Sequence, residues 1–120
     1  MKLKNEMFTI IGGDEDHVRI KLNPLHTIYQ AHFPGTPITP GVCIVQIIGE
    51  LLGERIGRQV VLSRITNLKF NSTISPVDDP VVEVNFAQVE PSEAACTVKG
   101  TITAGEELKT KYSLVYNMKD

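Results

Sequence analysis

The sequence predicts an α+β fold in which a strongly curved antiparallel β-sheet wraps around one long helix. Two observations predict it. Residues 42–56 are apolar on almost every side of a helix, which is typical of a helix enclosed by the rest of the protein. Residues 95–103 and 108–116 alternate between apolar and polar side chains, as antiparallel strands with one solvated face do. A length of 120 residues fits a single domain, residues 1–120.

The first part of the chain predicts two strands. Met7 to Ile11 is expected to form the first, and the glycine and acidic residues at 12–16 a turn. Residues His17 to Leu22 then alternate outward and inward with the period of a strand. An irregular stretch is expected from Asn23 through Gln30.

The long helix is expected to begin at Pro40 and Gly41, with Thr39 as its N-cap. Proline suits the first helical position because its missing N–H group would have no partner there. Gly57 is expected to follow the last helical residue, since glycine readily adopts the left-handed conformation that ends many helices.

The remainder of the chain predicts four further strands. The first is long, from Gln59 to Ile74, with a bulge near Ile65 where the alternation slips. Turns rich in proline and acidic residues precede strands at 81–89 and 95–103, and the turn Ala-Gly-Glu at 104–106 precedes the last strand, at 108–116. The residues expected to face inward in the last strand are Leu108, Tyr112, Leu114 and Tyr116.

Some side chains are expected in the core for simple reasons. Cys43 and Cys96 lie in apolar surroundings, which favours two reduced buried thiols over a disulfide. The aromatic residues predicted to be buried are Tyr29, Phe33, Phe70 and Phe86.

Composition excludes several classes of function. A net charge of −2 and a pI near 5.9 provide no basic footprint for nucleic acid. Residues 42–52 are too short an apolar run to span a bilayer, and residues 1–6 lack the apolar segment of a signal peptide. No cysteine or histidine spacing indicates a metal site. We therefore expect a soluble, cytoplasmic protein.

Residues 31–42 form the most informative segment. They contain His32, followed by three prolines and two glycines that lead directly into the apolar helix. Proline fixes φ and glycine permits unusual backbone angles, so such a loop is built to hold one conformation. This rigidity predicts that the imidazole of His32 is held in a defined direction.

The start of the helix predicts a second chemical group. Its first backbone N–H groups, those of Gly41 and Val42, have no partner within the helix and lie at the positive end of its dipole. They suit a carbonyl oxygen that gains negative charge. With His32 nearby as a base, the pair suits removal of the proton next to a thioester carbonyl, with the amides stabilising the enolate.

The motif His-Phe-Pro-Gly-x-Pro-x-x-Pro-Gly-Val, preceded by Tyr-Gln, resembles that of the β-hydroxyacyl-[acyl-carrier-protein] dehydratases of bacterial fatty-acid synthesis. The resemblance extends from Met7 to the C-terminus and implies the hot-dog fold. It also implies reversible loss of water from a β-hydroxyacyl thioester, with His32 as the base and Gly41 as the oxyanion donor. The substrate would be carried by acyl carrier protein or coenzyme A, with no metal or redox cofactor.

The resemblance further implies a homodimer or a larger assembly, with the site at the seam between two chains. Two positions depart from the family pattern, and the milder departure is Ala31, where glycine usually precedes the histidine. The acidic residue that works with the histidine is expected at position 46, where this chain has Gln46, and an acid, Glu50, follows one helical turn later. A carboxamide forms hydrogen bonds but cannot supply a proton.

Several roles remain open for this polar stripe, which continues to Glu54. Gln46 either orients the substrate or is a satisfied core residue. Glu50 either has a buried partner or is solvated at a subunit seam. In a second hypothesis the protein is an acyl-thioester hydrolase with Glu50 as the base. In a third it is a catalytically weak acyl-binding subunit that pairs with an active paralogue.

Overall fold

The computed structural model of the chain describes residues 2–31 and 35–119. The described part contains six strands and two helices. They are β1 (Phe8–Gly13), β2 (His17–Leu22), α1 (Thr27–Ala31), α2 (Gly41–Ile56), β3 (Val60–Phe70), β4 (Val81–Pro91), β5 (Ala95–Ala104) and β6 (Glu107–Met118).

All six strands belong to one antiparallel sheet with the order β1-β2-β4-β5-β6-β3. The sheet curves around α2, whose buried residues form one hydrophobic core with the inward side chains of the strands. The predicted α+β hot-dog architecture is therefore confirmed. The edge strands are β1 and β3, and β3 is the longer of the two, with eleven residues.

The predicted helix is confirmed, but its cap is not the predicted one. Pro40 occupies the N-cap position without a side-chain cap, and Thr39 lies one residue earlier. The Thr39 hydroxyl is instead 2.8 Å from the Tyr29 hydroxyl, inside the core. Gly57 ends the helix with φ of 70°, as predicted.

The irregular stretch predicted before the helix is partly wrong, because Thr27–Ala31 forms the short helix α1. The ring nitrogen Nδ1 of His26 accepts the N–H of Ile28 at 3.1 Å, so the imidazole caps this turn. The long strand ends at Phe70 rather than Ile74, and its predicted bulge is confirmed by register shifts on both sides of Ile65.

Two side chains predicted to be buried are exposed. Leu108 is 37% exposed because a register shift beside Ile102 and Thr103 interrupts the alternation of β6. Lys109 is buried in its place. Phe70 is 48% exposed at the end of β3. Phe33 lies outside the described residues. The other side chains predicted to be buried are confirmed, namely Tyr29, Phe86, Tyr112, Leu114 and Tyr116.

Lys109 fixes the segment that follows β3. Its ammonium lies 3.0 Å from Asp79 and 2.7 Å from Glu107, and it donates to the Thr73 carbonyl at 3.1 Å. Burial lowers the pKa of Lys109, but its hydrogen bonds to both carboxylates outweigh burial and raise it above the ordinary value.

Cys43 and Cys96 are buried free thiols, as predicted. Burial raises the pKa of both thiols, which keeps them protonated and unreactive near neutral pH. Within the described residues, neither helix is long and apolar enough to span a membrane.

Gly49 lets the helix approach the sheet. A Cβ atom at this position would lie 2.8 Å from the ring of Tyr116, whose hydroxyl donates to the Val45 carbonyl at 2.7 Å. We expect Gly49→Ala to lower the free energy of unfolding by about 1–3 kcal/mol, measured by urea denaturation, although alanine favours helix.

Gly41→Ala is the matched control for this prediction. Its new Cβ would lie 3.1 Å from the ring of Phe70, but this half-exposed ring has room to move. The control should lose less stability than Gly49→Ala. Equal stability of Gly49→Ala and the wild type would contradict the close packing of α2 on Tyr116.

Candidate active site

The N-terminus of α2 offers two backbone donors. The N–H groups of Cys43 and Ile44 already donate to the Pro40 carbonyl, at 3.0 and 3.1 Å. The N–H groups of Gly41 and Val42 have no hydrogen-bond acceptor among residues 2–31 and 35–119. These two N–H groups lie at the positive end of a sixteen-residue helix, an arrangement that suits an oxygen gaining negative charge.

The surroundings of this helix end are apolar and accessible. The Val42 side chain is 69% exposed, and Phe70 packs closely against the backbone of Gly41. The absence of a side chain at Gly41 is what permits this approach. An acyl group could therefore contact apolar side chains while its carbonyl meets the helix N-terminus.

The predicted base, His32, lies outside the described residues. The two ends of its loop are nevertheless fixed in the fold. Tyr29 and Thr39 share a buried hydrogen bond of 2.8 Å, and the N–H of Thr39 donates to the Ile74 carbonyl at 2.8 Å. Burial raises the pKa of Tyr29 to about 12, so its hydroxyl stays protonated in this bond at neutral pH.

A groove with a volume of about 690 Å³ runs along the accessible face of α2. Val42, Gln46 and Glu50 all contribute to its lining, so the structure brings these three predicted residues together. The groove also contacts Val61 and Leu62 of β3. It is thus continuous with the outer edge of the sheet.

Glu50 has three N–H donors. Its two oxygens accept from the backbone of Leu3 at 2.7 Å and of Lys4 at 2.8 Å, and Oε2 also accepts from Nε2 of Gln46 at 2.8 Å. Glu50 is therefore a partly buried carboxylate with hydrogen-bond partners in its own chain. Glu54 has a partner as well, the ammonium of Lys4 at 2.6 Å.

The sequence did not predict that the N-terminal segment contacts the polar residues of α2. Leu3 is almost completely buried, and its contact with Glu50 joins residues 47 positions apart. The only hint in the sequence is the polar stripe itself, because a glutamate on an otherwise buried helix needs hydrogen-bond donors.

Comparison with known proteins decides the family. Residues 11–107 match the ApeI-like family, described as ApeI dehydratase. The chain belongs to this family. The match includes the whole loop around His32 and all of α2. The resemblance to hot-dog dehydratases inferred from the sequence is thereby confirmed at the level of the family.

A curated dehydratase is also similar to this chain in sequence. The 3-hydroxyacyl-[acyl-carrier-protein] dehydratase FabZ of Acetivibrio thermocellus is 32% identical over 92 residues, covering 68% of this chain. The chain spans 63% of the length of that relative, which is less than two thirds.

Solved structures share the fold. The dehydratase heterocomplex ApeI:P from Xenorhabdus doucetiae contains a chain that matches with a TM-score of 0.58 and 15% identity. The match covers 89% of the present chain and 92% of the chain in the heterocomplex. A hypothetical thioesterase from Streptococcus pneumoniae, solved with coenzyme A, matches with a TM-score of 0.59 and 11% identity, covering 93% and 85%. At such low identity these likenesses support the fold alone.

Proposed function

We propose that this protein is a dehydratase that removes water reversibly from β-hydroxyacyl thioesters. One observation carries the proposal. The motif around His32 leads directly into a helix whose first N–H groups, at Gly41 and Val42, have no acceptor among the described residues and lie near the exposed side chains of Val42 and Phe70. Membership of a dehydratase family supports the same reaction.

In the proposed reaction, the imidazole of His32 takes the proton from the α-carbon of the substrate. The electrons of that C–H bond pass into the enolate, and the N–H groups of Gly41 and Val42 stabilise the charge on the thioester oxygen. The bond from the β-carbon to its hydroxyl oxygen then breaks as the double bond forms. The oxygen receives the proton back from the imidazolium and leaves as water.

Gln46 has no proton to give in this scheme, because a carboxamide is not an acid near neutral pH. Its proposed role is to orient the β-hydroxyl through a hydrogen bond. Returning the proton from His32 removes the need for a separate acid. The proposal therefore accommodates the amide at the position where the family pattern expects a carboxylic acid.

The proposed substrate is carried on the phosphopantetheine of acyl carrier protein or of coenzyme A. FabZ relatives are named for the acyl-carrier-protein substrate, and one solved structure with this fold contains coenzyme A. No further cofactor takes part in the proposed chemistry. The pathway proposed for this substrate is the synthesis of a fatty acid or a related acyl chain.

A second copy of the chain is proposed to complete the site. Strand β3 has one free edge within the described sheet, and several of its apolar side chains are at least one third exposed. They are Val61, Leu62, Ile65 and Phe70. A long apolar edge strand favours pairing with another strand. Phe70 also packs against Gly41, so pairing along β3 would place the partner beside the helix N-terminus.

The alternative hydrolase is less well supported, because both oxygens of its proposed base, Glu50, already accept hydrogen bonds from N–H groups. The alternative of a weakly active partner subunit rests on Gln46. A heterodimer with a paralogue would be its natural form, and the Xenorhabdus doucetiae structure is named as a heterocomplex.

One assay separates the three functions. The purified protein is incubated with β-hydroxyacyl and plain acyl thioesters of acyl carrier protein and of coenzyme A, and enoyl product and free thiol are measured. We expect enoyl product from the β-hydroxyacyl substrate. Free thiol from both substrates would indicate the hydrolase, and the absence of both products would indicate the partner subunit.

A further inference from the structure

We propose that Lys109 is a positioning residue that holds the N-terminus of α2 in place, acting through residues 71–79, the segment that follows β3. The proposed role rests on the dehydratase function given above, in which the N–H groups of Gly41 and Val42 stabilise the charge of the enolate. It gives the reaction a requirement outside the residues that would touch the substrate.

Lys109 is a buried cation that contacts both ends of this segment. Its ammonium donates to the Thr73 carbonyl at 3.1 Å and lies 3.0 Å from the carboxylate of Asp79. The backbone carbonyl of Lys109 also accepts the N–H of Asn71 at 2.8 Å. A buried ammonium without partners would be costly, so these contacts resist displacement. One residue of β6 therefore fixes the path of residues 71–79.

The same segment is bonded to the chain just before the helix. The carbonyl of Ile74, which is next to Thr73, accepts the N–H of Thr39 at 2.8 Å. Ile74 and Thr39 are both buried, so this bond lies inside the core. Thr39 precedes the N-cap residue Pro40, whose ring restricts φ, observed here at −63°. The position of Thr39 therefore determines where α2 begins.

Phe70 provides a second connection between the segment and the helix. It immediately precedes Asn71, which is bonded to the Lys109 carbonyl, and its ring lies against the backbone of Gly41. Donors that stabilise a transition state act best when they are already in place, and a misplacement of about 1 Å can cost about 10²-fold in rate. Lys109 can therefore affect the reaction without touching the substrate.

The test compares Lys109→Met with Lys111→Met. Both variants remove one ammonium from β6, but Lys111 is exposed and has no ion pair in the described part of the chain. We expect Lys109→Met to lower kcat for enoyl formation by about 10- to 100-fold with KM within about twofold, because the N–H groups at the helix N-terminus act on the transition state. Lys111→Met should keep kcat and KM within about twofold of the wild type.

A double variant separates positioning from stability. Lys109→Met leaves the carboxylate of Asp79, which is 15% exposed, without its cation and so destabilises the fold. Lys109→Met/Asp79→Asn removes this unpaired charge, so its urea midpoint should exceed that of the single variant. The bond to the Thr73 carbonyl is still missing, so kcat should stay low. Recovery of kcat would overturn the proposal, because Lys109 would then act only through stability.

Hydrogen exchange makes the test independent of activity. In the double variant, the N–H of Thr39 should exchange about tenfold faster than in the wild type, because the segment that carries its acceptor is no longer held. The N–H of Val98, in the interior of the sheet on β5, should accelerate by a smaller factor. An equal or smaller factor at Thr39 would overturn the proposal. Faster exchange at Thr39 in a protein that forms no enoyl product would support the connection and contradict the proposed function instead.

Discussion

His32→Ala is expected to lower kcat for enoyl formation by about 10²–10⁴, the range typical for loss of a general acid or base. In the proposed reaction this imidazole both takes the α-proton and returns it to the departing hydroxyl. No other group near the helix N-terminus is assigned either step. The measurement is the initial rate of enoyl formation by equal amounts of folded wild type and variant.

His17→Ala is the matched control for this variant. His17 lies on β2 with an exposed side chain, where its ring contacts Asn85 at 2.9 Å. Removing it changes an imidazole outside the proposed site, so the rate should stay within about twofold of the wild type. Wild-type activity in folded His32→Ala would remove His32 from the mechanism.

Ile65→Lys is expected to convert a dimer into a monomer. Ile65 is 49% exposed on the edge strand β3, and lysine there would place a charge in the proposed interface. Burying an unpaired charge costs several kcal/mol, enough to shift the association constant by more than about 10²-fold. The measurement is the mass in solution by light scattering, with 13.3 kDa for one chain.

Ile11→Lys is the matched control for the interface. Ile11 is 47% exposed on β1, the opposite edge of the sheet, so the same change in charge occurs away from β3. We expect this control to remain dimeric and active, and Ile65→Lys to lose activity together with the dimer. A monomeric wild type, or a fully dimeric Ile65→Lys, would contradict the proposed pairing along β3.

The local features of the fold could be predicted from the sequence. Strand β2 has the predicted bounds, and α2 ends just before Gly57, as predicted. Both features depend on residues that are neighbours in the sequence. The exposure of Leu108 could not be predicted, since it depends on a register shift between two strands. The cap at Pro40 was also missed, because Thr39 is drawn into the core by Tyr29.

The candidate site also combines features that could be predicted from the sequence with features that could not. The motif around His32 and the helix start at Gly41 are contiguous in sequence, so their chemistry could be inferred directly. The partners of Glu50 could not, because Leu3 and Lys4 reach it only through the folded chain. A polar residue on a buried helix indicates that donors exist but does not identify them.

Exchange of the α-hydrogen tests the central claim most directly, because deuterium can enter the α-carbon only after its proton has been removed. A β-hydroxyacyl thioester is incubated with the protein in D₂O, and deuterium in recovered substrate is measured by mass spectrometry. We predict deuterium at the α-carbon with the wild type and none above background with His32→Ala. Recovery of undeuterated substrate from the wild type, without enoyl product, would contradict proton removal at this site.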